Sequence, residues 1–116
     1  MSEIIKLERE IEETILAKAK KDRMERLLLN ADFRELILKD FCTDECVRYV
    51  GMSISDKIDE DGRRDALGHA QAAGYLKNWI QVQCQIGNIG ESKIPEMKDA
   101  LAQLRAEAAA EAAETA

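Results

Sequence analysis

Aromatic residues make up only 4% of this 116-residue chain, and there is one proline, one histidine and one tryptophan. With so few large rings the core is thin: the 46% of hydrophobic residues must be buried mainly as aliphatic and alanine side chains, and stability leans on helix length and on partners. Positive charge is also short, with 17 Lys and Arg against 23 Asp and Glu and a net charge of −6. Such a chain has no general attraction for phosphate backbones or anionic membranes, which argues against direct nucleic-acid binding. Long apolar runs are missing too. The longest uncharged run, Asn78 to Gly90, contains three glutamines and falls short of the roughly 20 apolar residues a membrane span needs. The first ten residues, MSEIIKLERE, carry charge from the third position onward, which does not fit a secretory signal. The expectation is a soluble protein that works where it is made.

Chemistry is as sparse as the rings. Three cysteines are an odd number, which does not suit a closed intrachain disulfide framework, so a reducing compartment is the default. Cys42, Cys46, Cys84 and His69 are the ligand types of a zinc site. His69 and Cys84 sit too far apart along one helix to meet at a tetrahedral ion, so no metal is expected and the thiols read as small buried hydrophobes. His69 follows Asp65 by one helical turn and reads as an exposed, ion-paired histidine, because no nucleophile or pocket accompanies it. GNIG lacks the spacing of a phosphate loop. Asp56, Asp59, Glu60 and Asp61 lack the order of a calcium loop and read instead as acids placed at a helix start. Tyr75 and Trp79 have no basic groove beside them, so core packing is expected of them rather than base stacking. These absences predict a protein that is no enzyme, with no cofactor and no small-molecule substrate.

What the sequence does hold is helical periodicity. Ile4, Leu7, Ile11 and Ile15 recur at helical spacing among Glu, Lys and Arg, so Ser2 to about Leu29 reads as one long amphipathic, coiled-coil-like helix with Ser2 as N-cap. Its acids come early and its bases late, the order the helix dipole favours. Asn30 caps or interrupts. Phe33, Leu36, Ile37 and Phe41 form one face of a short helix, and Thr43 or Asp44 caps a second whose Val47, Val50 and Ile54 extend the apolar face past Gly51, the two packing as a compact knot. A long central helix spans about Glu60 to Gly87. Its segment IQVQCQI alternates like a strand, but Tyr75, Trp79, Val82 and Ile86 continue a helical pattern and no partner strand exists. A break or kink is predicted between Gly87 and Ser92, with Pro95 in the first turn of a C-terminal helix carrying Met97, Leu101, Leu104 and Ala108. Residues 106–116 read as a solvated, fraying Ala/Glu helical tail. The fold predicted is all-α, one domain over residues 1–116, packed as an elongated helical hairpin or bundle.

GHAQAAGYLKNW, Gly68 to Trp79, places a small-residue stripe ahead of large side chains within the central helix. Glycine costs about 1 kcal/mol against alanine in a helix interior, so a compensating close approach of another helix over Ala66, Ala70, Ala73 and Gly74 is expected. Tyr75 and Trp79 would fill the space where the helices part. Leu76 and Ile80 form a second row, giving a wide apolar arc that suits neighbours on more than one side. Ile4, Leu7, Ile11 and Ile15 of the first helix, with Ala70, Gly74, Tyr75, Leu76, Trp79, Val82 and Ile86 of the central one, are therefore the candidate protein-interaction residues.

The segments NADFRELILKDFCTDECVRYV and DALGHAQAAGYLKNWIQVQCQIGNIGE together resemble a family of small all-helical proteins of tailed bacteriophages. The resemblance rests on Asp32 and Phe33, Phe41, Arg48 and Val50, Gly74 with Leu76 and Trp79, and Gly87, in that order, and covers about the central two thirds of the chain; Cys42, Cys46 and Pro95 depart from the pattern. It implies a virion structural or assembly protein, head-associated, that contacts itself or a larger phage structural protein and resides in the virion, or in host cytoplasm during assembly. The alternative it leaves open is a phage-encoded regulator or inhibitor that binds a host or viral protein through the same surfaces.

Overall fold

The computed structural model describes residues 2–115. Its described residues are almost entirely helical and include no strand, so the chain is all-α. Helix α1, Ser2–Leu29, matches the expected span, but Ser2 is a residue of the helix itself and not its N-cap. Glu3 in its first turn and Arg26 in its last complement the helix dipole. Asn30 ends it and starts the next element: its side-chain oxygen accepts from the Phe33 N–H at 2.9 Å, satisfying one orphan donor of the new helix.

The next element departs from expectation. Phe33–Glu45 is a π-helix that runs directly into α2, Cys46–Ser53, so the chain does not restart at Thr43 or Asp44. Neither residue caps α2, because the backbone is already helical: Glu45, just before α2, has φ −65 and ψ −37. The Thr43 hydroxyl instead donates to the Leu38 carbonyl five residues back, at 3.0 Å, a spacing that matches the wider π turn. No Gly or Pro lies between Phe33 and Val50 to break the run. The Asp59 carboxylate then caps α3, accepting from the Gly62 N–H at 2.7 Å, with Glu60 and Asp61 in the first turn. The Arg63 guanidinium closes the preceding loop by donating to the carbonyls of Ser55 and Ile58.

Helix α3 is Glu60–Thr115, 56 residues without interruption. The predicted break between Gly87 and Ser92 is therefore absent, the central and C-terminal helices are one element, and IQVQCQI is helical throughout. Pro95 lies inside the helix and leaves the Glu91 carbonyl without its usual donor. Strong helix formers continue on its C-terminal side, and the two glycines ahead of it are held by packing. Residues of α3 at intervals of seven are buried at Ala66, Ala73, Ile80, Gly87 and Leu101 and half-buried at Ile94, the signature of a coiled-coil-like seam. The Ala/Glu-rich end stays helical to Thr115 and is exposed from Arg105 onward.

Contacts gather the chain into two compact units, Met1–Asp22 with Gln83–Ala116, and Arg23–Val82. In the first, α1 and α3 run antiparallel. Lys21 meets Gly87 and Glu91, Thr14 meets Gly90 and Met97, and Glu8 pairs with Arg105 at 3.1 Å. Ile4 shares a shallow hollow with Leu104 and Ala108. Both glycines are contact points: a Cβ on Gly87 would stand 2.9 Å from Lys21 Cγ and 3.0 Å from the Ala17 carbonyl oxygen, and one on Gly90 would stand 2.9 Å from Thr14 Cγ2. The glycines read as helix breakers are thus the places where α1 comes closest.

Lys21 is buried at 6% exposure, and its ammonium donates to the Glu91 carboxylate at 2.5 Å. That hydrogen bond, with the Lys21 charge, holds the Glu91 carboxyl below the usual carboxylate range. A carboxyl lowered on folding contributes stability above its unfolded pKa, and the contribution is lost as pH falls through the folded one. Thermal melts from pH 7 down to pH 3 should therefore show a Glu91→Gln variant less stable than wild type near neutrality, the gap closing toward acid. A gap unchanged with pH would contradict the pairing.

In the second unit, the π-helix and α2 lie antiparallel to the start of α3. The Cys46 thiol donates to the Ala70 carbonyl at 3.6 Å, and the Tyr49 ring stacks on His69 with centroids 4.7 Å apart. The stripe's alanines allow this approach: Ala66, Ala70 and Ala73 are 2%, 7% and 1% exposed. Its glycines do not take part, since Gly68 and Gly74 have nothing within 4 Å of where a Cβ would be. Alanine, one turn apart along the helix, supplies the close face, and the glycines stand off it. The compact knot is also only partial. Leu36, Phe41, Val47, Val50 and Ile54 are exposed, because this pair of helices turns Cys42, Cys46 and Tyr49 toward α3 instead.

Candidate interaction surface

The eleven residues singled out from the sequence divide by burial. Ile11 and Ala70 are buried, and Ile4, Leu7, Leu76 and Val82 are half-buried, so these serve the units' own packing. Ile15 is exposed: the α1 seam passes through Thr14, which faces Gly90 and Met97, and this turns Ile15 outward. Gly74, Tyr75, Trp79 and Ile86 are exposed. Core packing is therefore the wrong reading of the two rings, which at 71% exposure for Tyr75 and 47% for Trp79 lie outside the seam residues Ala73 and Ile80.

Exposed apolar side chains follow helical intervals. On α3, Tyr75 and Trp79 stand one turn apart in one unit, and Ile86 and Ile89 stand one turn apart in the other. On α2, Val47 and Val50 stand one turn apart and are exposed, and Ile54, just past its end, is 79% exposed. Ile89 is absent from the sequence-based set although it follows Val82 by the same seven residues that separate Tyr75 from Val82. A break expected at Gly87 ends the pattern too early. The α2 face is absent for the opposite reason: its apolar spacing is legible, but spacing alone does not distinguish a buried face from an exposed one.

Ile86 and Ile89 also line an open groove with Thr14 and Ala17 of α1, flanked by Glu13 and Lys93. The walls are apolar with one acid and one base at the rim, an arrangement suited to a helical side-chain ridge rather than to a polar small molecule. No helix is long and apolar enough to cross a membrane among the described residues.

No group of three or more His, Cys, Asp or Glu is placed to hold a metal among the described residues. His69 is exposed, as expected, but among the described residues it makes no ion pair with Asp65: its ring stacks instead on Tyr49, which also carries the Arg48 guanidinium 4.4 Å from its centroid. All three cysteines are free thiols. Burial pushes the Cys42 thiol above its usual range, opposed by the Lys77 charge and reinforced by Cys46. Since the thiolate is the nucleophile, Cys42 should react with a disulfide reagent at pH 8 more slowly than Cys46 and Cys84. Site-resolved labelling followed by peptide mass analysis checks this, and a Cys42 that reacts first would contradict it. Compared with known proteins, the chain matches no family model, no curated protein and no solved structure.

Proposed function

We propose that the protein is a bacteriophage virion or assembly component, head-associated, that acts as a helical contact module and not by catalysis. The observation that carries the contact role is the display, at helical spacing, of Tyr75 and Trp79 on α3 and Val47 and Val50 on α2 in one unit, and of Ile86 and Ile89 on α3 in the other, in a chain that is 34% charged. A chain able to place Glu and Lys so freely elsewhere has kept these positions apolar, which is how helical partners are recognised. The phage setting comes from the resemblance of the central two thirds of the chain, and the partner is a further copy or a larger phage structural protein. Purified particles of the phage that encodes it should contain the protein in stoichiometric amount by quantitative mass spectrometry. Its absence from particles, with its presence in infected cells bound to a host or viral protein, would replace this reading with that of a regulator.

A further inference from the structure

We infer that Lys21, seated on Gly87 and paired with Glu91, fixes the register of the antiparallel pair formed by α1 and α3. A seam with a seven-residue repeat is degenerate by nature: sliding one helix by a heptad, about 10 Å, brings equivalent positions back together. The end of the seam at Ile4 does little to resist a slide toward the N-terminus of α3, since Met97 and Leu101 would replace Leu104 and Ala108 beside it.

Lys21 resists in both directions. In the observed register its stem lies against Gly87, where there is no room for a Cβ, and its ammonium reaches Glu91 at 2.5 Å. One heptad toward the C-terminus of α3, Ile94 would replace Gly87 beneath the stem and Lys98 would replace Glu91 at the ammonium, setting like charges together. One heptad toward its N-terminus, Ile80 and Cys84 would take those places, so that α3 would offer the ammonium no carboxylate in place of Glu91. Thr14, a heptad before Lys21 in α1, adds a second steric lock through its contact with Gly90, since a slide would set it against Met97 or Gln83. A polar residue buried in an otherwise apolar seam is known to trade stability for a single alignment. The same reasoning accounts for both glycines and for a lysine that is only 6% exposed.

The test is isotope-edited NMR on the full chain, reading the Thr14 methyl signal. Wild type should give one signal with a nuclear Overhauser contact to Gly90. Lys21→Ala removes both the stem and the charge, and an alanine fits the isoleucine positions better than it fills the space at Gly87. The variant should therefore show a second Thr14 signal that lacks the Gly90 contact, whereas Lys21→Arg should keep one. Glu91→Lys is the second variant, for the case in which Lys21→Ala does not fold, and it also should add a signal without the Gly90 contact. A single Thr14 signal retaining that contact in whichever of these two folded variants is measured would overturn the assignment.

Discussion

Gly87→Ala should destabilise the protein by about 1–2 kcal/mol, even though alanine is the better helix former by about 1 kcal/mol. The new methyl would stand 3.0 Å from the Ala17 carbonyl oxygen and 2.9 Å from Lys21 Cγ, and closer still to Lys21 Cβ. The backbone of α1 cannot yield as a side-chain end would, so the helix itself must shift. Gly74→Ala should do the reverse. It meets nothing within 4 Å, so it should gain about 0.5–1 kcal/mol from propensity and reduced unfolded-state entropy. The two changes are chemically the same and lie in the same helix, so opposite signs in chemical denaturation isolate the effect of packing. A stabilising Gly87→Ala would show that α1 does not approach α3 as described.

Trp79→Ala should leave the fold nearly unchanged and weaken association by about 2 kcal/mol or more, roughly a thirty-fold loss in affinity. The ring is 47% exposed, so its removal creates no sealed cavity, while half its surface is available to a partner. Large aromatic anchors at the centre of an interface contribute far more than the smaller side chains around them. Ile80→Ala, one residue along and 6% exposed, is the matching control. It should cost about 2–4 kcal/mol of folding stability as a core truncation. Denaturation and light scattering together separate the two. Trp79→Ala that lowers folding stability as much as Ile80→Ala would place the ring in the core after all.

The contrast between these neighbours also shows how far the sequence could be read. The helical period, the span of α1, the Asn30 junction and the acidic start of α3 follow from local rules of capping, dipole and hydrophobic spacing, and all are present, although Ser2 lies in α1 and does not cap it. What local rules missed was set by packing. Gly87, Gly90 and Pro95 are helix breakers by propensity, yet α3 passes through all three, the two glycines because α1 occupies the space their side chains would need. The small-residue stripe does mark a close helix approach, but only its alanines lie on the seam. Gly68 and Gly74 fall off it, because a seven-residue repeat runs through Ala66, Ala73 and Ile80. Lys21 is one base among several in α1, and nothing in its neighbours along the chain announces a partner seventy residues away.

Cross-linking mass spectrometry on intact phage particles, with an amine-reactive linker, addresses the contact surface on α3 most directly. Lys93 follows Ile89 by one turn and is exposed, whereas the exposed Lys77, whose charge acts on Cys42, lies on the side of α3 opposite Tyr75 and Trp79. Intermolecular links from Lys93, to a second copy or to a larger particle protein, are expected in excess of those from the exposed lysines Lys6, Lys57 and Lys77. A protein present in particles whose intermolecular links arise from Lys6, Lys57 or Lys77 but not from Lys93 would contradict this contact surface.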